Sequence, residues 1–304
     1  MAERELKKRK STKLNRKEWV AGYLFLLPNL IGFLIFTAIP VVMGLVISLT
    51  DYSGFGKLNF IGIQNYIKMF HDSNFTIALK NNFFYTITTV PLTILFSLLL
   101  ALMLNRKLYG GGFFKTIYFF PNLTSMVAVG CVWLQLFQVK NGPVNQLLMS
   151  FGVENPPKWF WGTSTAMISI VIVVVWKQAG YYMIMFLGGL KSIPSHLYES
   201  AKIDGATAFK TFRYITWPML SPTTFMVTIL TFIASFQVFD IINVTTEGGP
   251  GRETSVLVMR VYQEAFRYGK MGYASSIGYF LFLIVFLLTI IQWRAQKKWV
   301  NDDI

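Results

Sequence analysis

The sequence runs to 304 residues, 54% of them hydrophobic and 14% charged, with a formal net charge of +14 and one cysteine. That balance is too apolar for an ordinary soluble domain and leaves no partner for an internal disulfide, so the chain reads as an integral membrane protein. Its apolar windows are continuous and do not alternate at period two, which excludes a membrane barrel and leaves an all-α fold class.

Residues 1–18, MAERELKKRKSTKLNRKE, form a basic tail, and residues 19–304 read as one transmembrane domain. A membrane-crossing helix needs about 20 predominantly apolar residues, and six windows meet that length. The first, from about Tyr23 to Leu49, is too long for the apolar core of a secretory signal and lacks a small-x-small cleavage site, so it is expected to be an uncleaved anchor. The second covers Phe83 to Leu104. The third covers Ile117 to Phe137 and carries Cys131, expected as a small buried hydrophobe. Pro28, Pro40, Pro91 and Pro121 fall within or at the ends of these spans and are expected to kink them.

The fourth span, Met167 to Leu190, contains VVVWKQAGYY, with Lys177 and Gln178 between Trp176 and Tyr181. A charge deep in a bilayer costs about 2.5–3.5 kcal/mol on insertion scales, so Lys177 is expected to face an interior pathway, to snorkel, or to pair with Asp240. The fifth, Thr224 to Ile242, contains ASFQVFD, in which Ser235, Gln237 and Asp240 interrupt an apolar helix beside Phe236. Amides, hydroxyls and aromatic faces suit a sugar, although Ser and Gln also serve as contacts between helices. A turn cluster, TTEGGPGRETS, follows, then a stretch to about Arg267 long enough for an extracellular helix. The sixth span runs from Ile277 to Trp293.

Lys and Arg set the orientation. The tail, the 105–115 and 191–222 loops and the C-terminal end hold 18 of them, against nine in the other three connections. The positive-inside rule then places both termini and the 191–222 loop in the cytoplasm. This topology, with affinity for anionic lipid, accounts for the net charge without a nucleic-acid partner.

Between the fourth and fifth spans the chain reads YESAKIDGATAFKTFRYITWPMLSP. Ser195 is expected to cap a first helix with Glu199 in its first turn, and Gly205 to end it in the left-handed conformation. Thr207 is expected to cap a second helix with an apolar stripe of Phe209, Phe212 and Ile215, stopped by Pro218 and Pro222. The mixed charge of Glu199, Lys202, Asp204, Lys210 and Arg213 suits a protein groove better than a lipid surface.

Enzyme chemistry has little to work with. His71 and His196 fall on opposite sides of the membrane, and no phosphate loop, HExxH pair or GxSxG elbow is present.

ESAKIDGATAFKTFRYITWPMLSP resembles the EAA loop of ABC importer permeases, roughly EAAxxDGAxxxxxFxxIxLPxxxP. Glu199, Ala201, Asp204, Gly205, Ala206, Phe212, Ile215, Pro218 and Pro222 match, while Ser200 and Trp217 depart. WKQAGYYMIMFLGGLKSIPSHLYE, FDIINVTTEGGPGRETSVLV and MGYASS are similar to the carbohydrate-uptake branch, and to its maltose-type first subunit without that subunit's additional N-terminal helices. The resemblance implies a six-span type I permease whose coupling loop, 194–222, docks on ATPase subunits through Glu199, Ala201, Asp204, Gly205, Ala206, Phe212 and Pro218. It implies a pathway within Trp176–Tyr181 and Ala234–Val238, hence Trp176, Lys177, Gln178, Tyr181, Ser235, Phe236 and Gln237.

The implied partners are a second permease subunit, two cytoplasmic ATPases and an extracellular solute-binding protein. ATP and Mg are used by the ATPases, and no cofactor is expected on this chain. The implied cargo is a carbohydrate, with an oligosaccharide expected, crossing the bacterial cytoplasmic membrane. The alternative is an ion-coupled secondary transporter with Lys177 and Asp240 as relay. It calls for inverted repeats, which the sequence does not display.

Overall fold

Hydrocarbon offers no partner to backbone N–H and C=O groups, so spanning segments of this composition close their hydrogen bonds within helices. The computed structural model describes residues 14–106 and 109–296, and among them the regular structure is helical, joined by turns and loops, apart from one bridge between Thr50 and Phe60. Residues 1–13 of the basic tail, with Lys107, Lys297 and Lys298, lie outside the described residues.

The first span joins α1 (Leu14–Phe33), a π turn (Leu34–Ala38) and α2 (Ile39–Ser48). Pro40 causes the π turn. Its ring would collide with the carbonyl four residues back, and the chain widens so that Ile39 N–H bonds to Leu34 instead. A short helix, α3 (Gln64–His71), leads into α4 (Ser73–Leu104), which Asp72 caps by accepting the Asn74 N–H at 2.8 Å. This helix starts ten residues before the expected second span, and Pro91 sits inside it without breaking it.

The third span departs from expectation. It is two helices, α5 (Gly111–Leu123) and α6 (Met126–Leu136), bent by 100°. The break has a local cause in PNLTS: Pro121 lacks an N–H, Thr124 and Ser125 are extended, and the Ser125 hydroxyl accepts the Ala128 N–H to start α6. Cys131 is exposed, not buried, because α6 buries its Val129 and Gly130 face. A short helix, α7 (Pro143–Ser150), precedes α8 (Ala166–Ser192), the most enclosed span.

After the loop helices α9 (Ser195–Ile203), α10 (Ala208–Thr211) and α11 (Trp217–Met219), the fifth span is α12 (Ser221–Phe236), bent by 64° from the segment before it. It stops at Phe236, six residues short of expectation. Gln237–Phe239 are not helical, and Asp240 opens a separate short helix, α13 (Asp240–Thr245), so it does not interrupt an apolar one. The expected helix beyond is α14 (Leu257–Tyr262), followed by a π turn to Arg267, and α15 (Met271–Gln296) is the sixth span. Among the described residues, four helices are long and apolar enough to cross a membrane, and up to six spans result when each bent pair counts as one.

The unbroken helices α4 and α8 pack together as a spine. One core joins α8 to α6, α13 and α14, and a second joins α4 and α8 to α12 and the underside of the coupling loop. Gly180 marks where α5 crosses α8: a Cβ there would lie 1.8 Å from the Tyr118 carbonyl oxygen, so only glycine admits this approach.

A third core holds α3, α4, α14 and α15 together. Within it Arg260 pairs with Glu264 and lies 3.8 Å from Asp72, which also accepts the Tyr273 hydroxyl at 2.9 Å. Burial pushes the Asp72 carboxyl up, but the Asn74 N–H, the Tyr273 hydroxyl and the Arg260 charge outweigh it and hold the group below its usual value.

Candidate functional site

The coupling loop is built by turn chemistry. Pro194, not Ser195, occupies the N-cap of α9, because the chain leaves α8 extended through Ile193 and Pro194, and no side chain caps the helix. Glu199 is accordingly in mid-helix, not in the first turn, and gains little from the positive helix end. The helix closes as the sequence predicts. Gly205 stands at φ +71°, its N–H bonds to Lys202 at 3.2 Å, and the Ala206 N–H bonds to Ala201 at 2.9 Å, which together make a Schellman motif. Thr207 caps α10 by accepting the Lys210 N–H at 3.4 Å.

A π turn, Phe212–Thr216, follows, with Trp217 N–H bonded to Phe212 ahead of Pro218. This repeats the solution found at Pro40. It also splits the expected apolar stripe. Phe212 and Ile215 pack with Leu197 and Tyr198 against the end of α8, where Tyr198 and Thr216 hydroxyls meet at 3.2 Å. Phe209 faces out, along with Ile203 and Tyr214, and each of these is at least 74% exposed.

The coupling candidates therefore divide. Glu199, Asp204 and Gly205 are exposed, Ala206, Phe212 and Pro218 are half-buried, and Ala201 is buried against the loop's own core. The outer surface carries mixed charge around three large apolar side chains, the composition of a protein contact. Between its helices lies a cleft of about 340 Å³, lined in part by Ser200, Asp204 and Lys210.

Among the span candidates, Trp176, Tyr181 and Gln237 are exposed and Gln178 is half-buried. Lys177 is buried, and its Nζ donates to the Asn122 carbonyl at 3.2 Å. That carbonyl belongs to the last turn of α5, where the break removes its helical partner, so an ammonium there also faces the negative helix end. The expected pairing with Asp240 is not formed, since Asp240 is exposed at the start of α13. Ser235 and Phe236 are buried within the chain. The Ser235 hydroxyl lies 2.9 Å from that of Thr86 in α4, and the Phe236 ring packs edge-on to Phe83.

A cavity of about 490 Å³ beside Trp176 is walled by apolar side chains of α4, α5 and α8, including Leu92, Ile117 and Val175. It offers little to hydroxyls. Sequence reading missed Asn122, Asn82 and Thr86. Asn82, Thr86, Thr89, Thr93 and Ser97 recur at helical spacing on the buried face of α4, a polar stripe that was legible in principle.

Residues 78–299 match the family described as binding-protein-dependent transport system inner membrane component. The probable ABC transporter permease protein YesP of Bacillus subtilis (strain 168) is 35% identical over 97% of this chain and 96% of its own length. The lactose transport system permease protein LacF of Rhizobium radiobacter is 34% identical over 94% of this chain and 97% of its own. In fold, the chain is similar to one from a bacterial alginate ABC transporter solved in complex with an alginate pentasaccharide-bound periplasmic protein. The TM-score is 0.83 over 95% of this chain and 98% of that one, at 23% identity. The family match takes in both broken spans, the Schellman-closed coupling loop and α8. The chain thus belongs to the family of inner-membrane components of binding-protein-dependent transport systems, as an ABC transporter permease of type I fold.

Proposed function

We propose that this chain is the permease subunit of an ATP-driven importer that carries a carbohydrate, an oligosaccharide by preference, across the bacterial cytoplasmic membrane. Family membership and the sugar systems among its relatives support the class, LacF being a lactose permease by name. The observation that carries the mechanism is the loop. Its outer surface is exposed and chemically mixed, its inner surface is fastened to the ends of two spans, and those spans carry the candidate pathway residues.

In this reading both termini and the loop are cytoplasmic. Two ATPase subunits, which use ATP and Mg, receive Glu199, Asp204 and Gly205, while a second permease completes the pathway and an extracellular binding protein delivers the cargo. The Schellman turn keeps α9 rigid, so displacement by the ATPases passes through Tyr198, Phe212 and Ile215 to the base of α8. That helix is 27 residues long, about 40 Å at 1.5 Å per residue, and it carries the movement to Trp176, Gln178 and Tyr181. Gln237 joins them from the break after α12. Lys177, Ser235 and Phe236 hold this surface from behind. An ion relay finds no support, because Lys177 and Asp240 do not meet.

Glu199→Lys tests the coupling role. Uptake should be lost while ATP hydrolysis and membrane insertion persist, and undiminished uptake would contradict it.

A further inference from the structure

Asn82 joins two helix ends through one amide. It lies in α4 with no solvent exposure, its Nδ2 donates to the Ser235 carbonyl at 3.5 Å, and its Oδ1 accepts the Leu257 N–H at 3.2 Å. Ser235 belongs to the last turn of α12, where carbonyls lack helical partners, and Leu257 is the first residue of α14, where N–H groups lack them. Both ends of the intervening segment, 236–256, are therefore fastened to the same point of one continuous helix.

Neighbouring contacts reinforce the attachment. Asn81 Nδ2 donates to the Arg252 and Ser255 carbonyls at 2.8 and 2.9 Å, and one turn further along α4 the Thr86 hydroxyl meets that of Ser235. An amide buried here without partners would be costly, and Asn82 instead supplies both a donor and an acceptor. The segment it closes contains Gln237–Phe239, three residues outside any helix, with Phe239 at φ −147° and ψ −59°. Such a joint has no helical ladder to fix its direction, so the flanking attachments set where Gln237 points.

We propose that Asn82 is a positioning residue for transport: by clamping both ends of residues 236–256 to α4, it fixes the direction in which Gln237 is presented to the pathway. This rests on the reading of Gln237 as a pathway residue.

Asn82→Leu keeps the branching of the side chain, though not its volume, and removes both bonds. The test uses the complete transporter in nanodiscs, with its ATPases, partner permease and binding protein, and follows amide exchange over 238–256 together with binding-protein-stimulated ATP hydrolysis. Losing the buried bonds should speed exchange there by about tenfold or more and cut stimulation by about fivefold or more. In a Cys131→Ser background, a disulfide between Thr86→Cys and Ser235→Cys restores one attachment, and should return stimulation in Asn82→Leu to within about twofold of the parent.

Unchanged exchange and stimulation overturn the proposal. Faster exchange with unchanged stimulation overturns it too, because Asn82 would then be only a structural cap. Should Asn82→Leu fail to assemble, the disulfide in the Asn82 parent decides. Retained stimulation on oxidation supports a fixed attachment, and loss that is reversed by reduction refutes it. Gln237→Ala separates the two readings: a silent Gln237→Ala removes the pathway role on which the proposal stands, whereas an impaired Gln237→Ala beside a silent Asn82→Leu removes the proposal alone.

Discussion

Gly205 offers a perturbation of the coupling loop that adds strain and little else. Its backbone stands at φ +71°, and a Cβ built there meets nothing within 4 Å in this chain. Gly205→Ala must therefore hold a side chain in the left-handed region, at about 1–2 kcal/mol. Against this stand the two bonds of the Schellman motif, from Gly205 to Lys202 and from Ala206 to Ala201, each contributing about 0.5–1.5 kcal/mol net. The strain is thus comparable to what closes the turn, and it shifts the closed population by about 5- to 30-fold. Gly205→Val is worse, since a β-branched residue at positive φ is a genuine outlier.

Binding-protein-stimulated ATP hydrolysis and sugar uptake, measured on the assembled transporter in proteoliposomes, should fall several-fold in Gly205→Ala and by about tenfold or more in Gly205→Val. Thermal unfolding of the bundle should be unaffected, because the turn lies outside the cores. A Gly205→Val transporter that couples as well as the parent would show that the left-handed turn is not needed for coupling.

Lys177→Met leaves the Asn122 carbonyl without its partner but also removes a buried charge whose placement costs about 2.5–3.5 kcal/mol, so expression should hold while uptake falls. Equal uptake would make the contact dispensable. Arg260→Met leaves buried Glu264 with only Lys270, 4.0 Å away, and takes a positive charge from half-buried Asp72, so it should cost at most about 3–5 kcal/mol, read as a lowered midpoint of thermal unfolding, and adding Glu264→Gln and Asp72→Asn should recover most of it. Asp72 also predicts an acid dependence. A carboxyl held below its usual value stabilises the fold fully above the ordinary 3.8 and loses that contribution as pH falls through the folded value. Asp72→Asn should remove this component from the pH profile of unfolding.

Hydropathy gave six spans, a number the described residues reach when each bent pair counts as one, but it did not give their form. It sums apolarity over a window, and neither Pro121-Asn122-Leu123-Thr124-Ser125 nor Gln237-Val238-Phe239 lowers that sum enough to reveal a break. The coupling loop was far more legible, since Gly205 and Thr207 act through local backbone geometry that holds whatever the surroundings. Ser195 was misplaced by one residue because an N-cap competes with the proline before it, and Pro194 already held the extended conformation.

Lys177 shows the limit most clearly. Its type and depth marked it as exceptional, but its partner, a carbonyl freed 55 residues earlier in the chain, exists only because another span breaks. Asn82 escaped notice for a related reason. An amide amid Lys80, Asn81 and Phe83 looks like the wet end of a helix until α12 and α14 are seen to end against it.

In the proposed function this permease couples ATP hydrolysis by partner subunits to carbohydrate import. The complete transporter in proteoliposomes, offered a panel of radiolabelled neutral and acidic oligosaccharides with the binding protein outside, tests it most directly. Accumulation should require ATP at the ATPase face and should vanish with Glu199→Lys. Accumulation driven by an ion gradient across liposomes that hold this chain without any ATPase would contradict the account.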